Sequence, residues 1–305
     1  MLRSVLALVF LMSTASDAAS GRDTVLQMAR KGWVYELRTT MIGRDMSIPV
    51  RINGRDMAGA AICVVGEAPN RQTRAVLDEF RALMRDASGK TLPMRYAGPS
   101  ARACGTGRTV ILRLYSRRPP NAALTDDLHW MNEVLKLGLP TGRSYMAVSP
   151  AMAQTFFGRR GSGTHLMVKQ AASNAVTRTE RAFYRSILIE ELFQSFTFGM
   201  DILHFDRDAA FLSKLEEYPT NLMDLPWESR MFMEGILNSN PTGLCAFDVF
   251  MLHAVASSPV EETNDAAFLD FIDARYEALT DRTRTTLANA DFEMLFDPEC
   301  VIPFD

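Results

Sequence analysis

Apolar and polar positions recur with two different periods along this chain, and each change of period marks an element. From Asn70 to Ala87, Ala75, Val76, Phe80, Leu83 and Met84 return at helical spacing with Arg and Asp on the other face, which predicts a helix. In "TVILRLYS", Val110, Leu112 and Leu114 return at the period of two that pleating requires, which predicts a strand. Further strands are predicted at "GWVYELRTT", "PMRYAG", "RSYMAVS" and "THLMVKQ", and an extended run at "MSIPVRING" that ends in an Asn-Gly turn signal. "SRRPPNAAL" breaks the pattern, and Asp126 to Leu137 forms a second helix stopped by Gly138. Beyond Asp201 the chain turns mainly helical, divided by Pro219, Pro226 and Pro241, with helices at Leu244 to Ser257 and at Asp265 to Leu279, the latter capped by Asn264.

Thr177 to Phe198 predicts a helix of another kind. Tyr184, Leu188, Leu192 and Phe196 form one stripe, and Phe183, Ile187, Ile189 and Phe193 cover most of the remaining circumference, as in a buried helix. Ser186, Glu190, Gln194 and Thr197 gather on a narrow polar face, with Glu191 and Ser195 as a second patch. A buried carboxylate is costly unless it is paired, hydrogen-bonded or metal-bound. Backbone groups of the sheet edge are the expected partners of Glu190 and Gln194, and Arg159, Arg160, Arg181 or Arg185 that of Glu191.

Composition adds the compartment. Arg3, the apolar run Val5 to Met12 and the small-residue exit at Ser16, Asp17 and Ala18 predict a secretory signal peptide cleaved near Ala18, and hence a periplasmic or secreted protein. No later segment offers the roughly 18 apolar residues of a transmembrane anchor. Cys63, Cys104, Cys245 and Cys300 fit disulfides in an oxidising compartment; of three connectivities, one bond within each half of the chain is favoured. The formal charge of −3 is mixed along the chain and no basic block offers itself to phosphates, so nucleic acid is not an expected partner. The glycine-rich loop "GRRGSG" is read as a flexible connection, and His129, His165, His204 and His253, which lie on separate elements, as structural residues. No Gly-x-Ser-x-Gly elbow occurs, and "GTGRT" precedes a strand where a phosphate loop would follow one.

The order of strands, long helix and helical remainder resembles the metzincin-like metalloproteases. Metzincins carry H-E-x-x-H-x-x-G-x-x-H, with histidines on zinc and the glutamate as general base. In "EELFQSFTFGM", Glu190 stands at the first ligand, Glu191 at the base, Gln194 at the second ligand, Thr197 at the turn glycine and Met200 at the third ligand, so that only the glutamate is retained. "NLMDLPWESRMFMEGILN" resembles the methionine turn and following helix, with Met223 in the methionine position and Leu225 to Asn238 in the helix. The chain is also similar, over roughly Gly21 to Val255, to an uncharacterised family of bacterial secreted proteins, the domain of unknown function numbered 2927, through Glu190, Glu191, Leu192, Gln194 and Asp201. It departs from that family's pattern at Thr197, Phe198 and Met200.

These resemblances imply an α+β metzincin-like fold with a mixed five-stranded sheet, a long helix of active-site type and a mainly helical C-terminal part. The implied division is a signal peptide at 1–18, a sheet-and-helix subdomain at 19–200 and a helical subdomain at 201–305. One carboxylate, one amide and one thioether make a poor zinc set, so no cofactor is expected; a hard cation such as calcium would take Glu190, Gln194 and Asp201 as oxygen ligands. The implied function is a non-catalytic scaffold that binds a protein or peptide partner along a sheet edge at "RSYMAVS" or its neighbour. The competing expectation is a peptidase-like hydrolase with Glu191 as general base, with or without a cation. A glycosidase would need a second acid, from Asp201, Asp206 or Asp208.

Overall fold

The computed structural model describes residues 21–35, 47–48, 50–107, 109–173 and 176–304. The signal-peptide segment and residues 36–40 of "GWVYELRTT" lie outside them. Gly32 and Trp33, the start of that predicted strand, instead close a helix, α1 (residues 21–33). "MSIPVRING" holds no strand either among its described residues: Asn53 accepts from the Arg55 N–H and caps a short 3-10 turn, Gly54–Met57.

The molecule is α+β. Its five-stranded sheet has the order β2-β1-β3-β5-β4, from β1 (Ala61–Gly66), β2 (Met94–Tyr96), β3 (Thr109–Tyr115), β4 (Ala151–Gly158) and β5 (Gly161–Lys169). All neighbours pair parallel except β4, which runs antiparallel to β5 along one edge. Between strands lie α2 (Arg71–Ser88) and α3 (Asn121–Leu135), and after them the long α4 (Arg178–Thr197). The two-residue β6 (Ile202–Leu203) and β7 (Glu216–Glu217) pair in parallel, and α5 (Arg230–Leu237), α6 (Ala246–Ser257), α7 (Ala267–Ala274) and α8 (Tyr276–Leu287) complete the chain.

Both faces of the sheet are covered, and this sets the pattern of its strands. Ile62, Val64, Leu112 and Leu166 point into a large core shared with α1, α2, α4 and α6, while Cys63, Val65, Ile111 and Met167 point into a smaller one under α3. A strand buried on both faces reads as a continuous apolar run, so "AICVVG" of β1 offers no alternation to detect. On the α3 side, Arg113 and His165 converge on Asp127, with Nε–Oδ2 2.5 Å and Nε2–Oδ2 2.9 Å, all three side chains sealed from water. Burial pushes the Asp127 carboxyl up, but the hydrogen bonds from His165 and Arg113 outweigh it and hold the group below its ordinary value.

Several boundaries differ from the sequence prediction. "RSYMAVS" is not a strand: its Tyr145 and Ala147 N–H groups donate to Thr125 Oγ1 and Asn121 Oδ1 of α3 rather than to the sheet. The edge strand is the neighbouring β4. "GRRGSG" is no loose connection but the tight turn of the β4–β5 hairpin, in which Gly158 pairs with Gly161 and only Arg159 and Arg160 lie outside the strands. The predicted helix from Asp265 to Leu279 is two, broken at Arg275; Asp265 Oδ1, not Asn264, accepts from the Ala267 N–H, and Asn264 bonds the Tyr35 carbonyl instead. The bonds Cys63–Cys104 and Cys245–Cys300 each lie within one half of the chain, as expected, and fit an oxidising compartment. Among the described residues no helix is long and apolar enough to cross a membrane.

Candidate functional site

The sequence of α4 explains how it comes to carry charge into the interior. Thr177 and Glu180 form a capping box at its start, and Phe198 closes it in the left-handed conformation. Trp33 Nε1–H and the Tyr35 hydroxyl donate to the Thr197 and Phe198 carbonyls, which the helix end leaves without partners. Held at both ends and apolar nearly all round, α4 packs between the sheet and α2, α5 and α6. Glu190, Glu191 and Gln194, with Ile187, face one cleft.

That cleft has a volume of about 320 Å³ and opens between the start of β4 and the middle of α4. Ala151, Met152 and Ala153 of β4 form one wall, Glu190, Glu191 and Gln194 the other, and Asp201, Glu217 and Asn240 close it. Glu190 accepts from Lys214 Nζ at 2.8 Å and from Asn240 Nδ2 at 2.9 Å. Lys214 is wholly buried, and its second hydrogen bond goes to Ser186 Oγ at 3.1 Å. Its loop is fixed by Asp248 at the start of α6, which accepts from the Lys214 N–H, the Cys245 N–H and the Ser213 hydroxyl. The carboxyl of Glu216 turns away from the cleft, towards the Leu212 and Ser213 N–H groups and His204 Nδ1.

Glu191 stands differently. It is 9% exposed, and among the described residues nothing hydrogen-bonds its carboxyl. Burial, with Glu190 and Asp201 nearby, pushes that carboxyl well above its ordinary range, and Lys214 only partly opposes this. Asp201 accepts from the Gln194 amide; burial of its inner side and the nearby Glu190 raise it to about 6, although its outer side is open to screening water. Glu217 is raised by burial and then by Asp201 and Glu190.

The structure therefore brings Glu190, Glu191, Gln194 and Asp201 together, as the helix pattern anticipates, but with other partners. Glu190 and Gln194 bond Lys214, Asn240 and Asp201 rather than backbone groups of the sheet edge. The cation acting on Glu191 is Lys214 rather than Arg159, Arg160, Arg181 or Arg185. Lys214, Glu217 and Asn240 were invisible to periodicity because they lie in segments without regular elements or at their ends. His204 bonds Glu216, and His129, His165 and His253 bond the Arg143 carbonyl, Asp127 and Thr286. Asp206 and Asp208 do not line the cleft.

The residues at the three zinc positions do not fit that metal. Glu190 is taken up by Lys214 and Asn240, the Gln194 amide faces Asp201, and Met200 is half exposed. Met223 is 91% exposed and cannot floor a site, and its following helix starts at Arg230, capped by Ser229, rather than at Leu225. Among the described residues no three His, Cys, Asp or Glu side chains are grouped to hold a metal ion. No protein-family model matches this chain, and neither a curated protein nor a solved structure does.

Proposed function

We propose that this is an exported, non-catalytic protein of metzincin-like type, related to the secreted family of domain 2927, whose cleft accepts an extended peptide or protein segment as an additional strand on β4. The observation that carries the reading is the outer edge of β4. The Lys169 N–H donates to the Pro150 carbonyl, which makes 150 and 169 a hydrogen-bonded pair. In an antiparallel ladder such pairs alternate, so Ala151, Ala153 and Thr155 turn their N–H and C=O groups away from β5. Among the described residues no strand pairs with that side, and its first residues form a wall of the cleft. An unpaired edge beside a concave site is the geometry of strand addition.

Ala153→Pro tests this directly. It removes one outward N–H while leaving every bond to β5, so binding of an extended partner is expected to fall at least tenfold with little change in thermal stability. Met152→Pro, which breaks the pairing with Met167, should destabilise the fold instead. Unchanged binding in a folded Ala153→Pro protein removes the reading.

One observation favours a hydrolase as the second reading: the unpartnered Glu191 carboxyl on the cleft wall. Burial raises this carboxyl above its ordinary range, the direction that a general acid or base working near neutral pH requires. Glu191→Gln separates the two, since it abolishes turnover in an enzyme and leaves a binder able to bind.

A further inference from the structure

Three carboxyl groups of the cleft, Glu191, Asp201 and Glu217, lack a cation of their own among the described residues, because Lys214, the ammonium nearby, is committed to Glu190 and Ser186. Acidic side chains alone make no site. Here the burial of one of them and one further group point to a ligand. Glu191 is more than nine-tenths buried and without a hydrogen-bond partner among the described residues. Asn240, 5% exposed, gives its amide N–H to Glu190, so its Oδ1 is fixed on the other side, buried and unpartnered. An acceptor left bare in this way carries an unrecovered desolvation cost, which a donor from a ligand would offset. Gln194, the other amide of the wall, spends its N–H on Asp201.

The cleft thus offers acceptors and negative charge with few free donors, and its complement is a flat cation with many donors and no acceptor. A guanidinium carries five N–H groups in a rigid fork, is more weakly hydrated than an ammonium, and keeps its charge. We propose that the cleft is a recognition pocket for an arginine side chain of the segment added to β4, its guanidinium hydrogen-bonded by Glu191 and Asn240 Oδ1 and balanced by Asp201 and Glu217. The volume suits one long side chain with water, and the wall formed by Ala151 and Ala153 puts it within reach of a strand paired there. This rests on the strand-addition reading, and the test separates the two.

Blocked, fluorescent seven-residue peptides of alternating Thr and Val, with one central position occupied by arginine, citrulline or norleucine, are titrated against the whole protein by anisotropy, and N-acetyl-arginine amide by calorimetry. The arginine peptide is expected to bind at least tenfold more tightly than the citrulline peptide, which has the same shape without the charge. In the double variant Asp201→Asn, Glu217→Gln the preference should vanish, and in Ala153→Pro all peptides should weaken while the small amide still binds. Equal affinity for the three peptides in the unaltered protein overturns the arginine pocket and leaves strand addition standing. Binding of the amide alone supports the pocket and overturns strand addition. Absence of binding by both the arginine peptide and the amide at millimolar concentration overturns the pocket.

Discussion

Lys214 is the residue on which the cleft wall depends. A wholly buried ammonium is tolerable because Glu190 and Ser186 satisfy it, and removing it strands the Glu190 carboxylate. Lys214→Met is expected to cost about 3–5 kcal/mol in urea unfolding. Adding Glu190→Gln should recover part of that loss; no recovery would mean that the lysine matters for packing rather than charge. Glu191 carries a pH signature. Its ordinary value is 4.5, and in the fold it lies well above this, so between those values the folded chain holds a proton that the unfolded chain has lost. Stability from this group is therefore present at and below pH 4.5 and falls as pH rises. Glu191→Gln should match the parent near pH 4 and exceed it at pH 7, and parallel stability curves across that range would contradict the assignment. The two glutamates were legible as charges on a buried helix. Their partners were not, because Lys214 and Asn240 reach Glu190 from 24 and 50 residues away, a distance set by tertiary packing alone.

At the scale of elements, α3 ends on a residue ill suited to its place. Lys136 closes it at φ 57° with an exposed side chain, a conformation that costs a residue with a Cβ about 1–2 kcal/mol. Lys136→Gly is expected to raise stability by about 1 kcal/mol, read as a higher urea midpoint; a lower midpoint would assign the lysine side chain a contact of its own. The helices α2 and α4 were legible almost to their caps, since one is amphipathic and the other is bracketed by Thr177 and the Phe198 turn. The strands were less so. β3 alternates in sequence, whereas β1 is apolar throughout and β4 carries Gln154 and Thr155 on an open edge with little pattern. The break at Arg275 left no trace of Gly or Pro to mark it.

For the whole molecule, the expected mixed five-stranded sheet, long helix and helical remainder are all present, although two of the five strands, β1 and β4, are not ones that periodicity marks. The main core does not stop at residue 200: Phe193 and Phe196 of α4 share it with Phe247, Phe250 and Phe268. Two disulfides brace the molecule. They span 41 and 55 residues, loops for which closure entropy gives about 4 kcal/mol each. Replacing either pair by serine should lower unfolding free energy by about that amount, and a loss near zero would show that the reduced chain is already held in place by packing.

The two extremities of the described chain also meet. Arg22 bonds Asp273, and Gly21 lies so close to Pro303 that a Cβ there would strike its carbonyl oxygen. The path of the backbone is thus almost a ring. A permuted form of the described chain, joined where its extremities meet and opened at the exposed turn of Thr141 and Gly142, would keep the same contacts under a different order of synthesis.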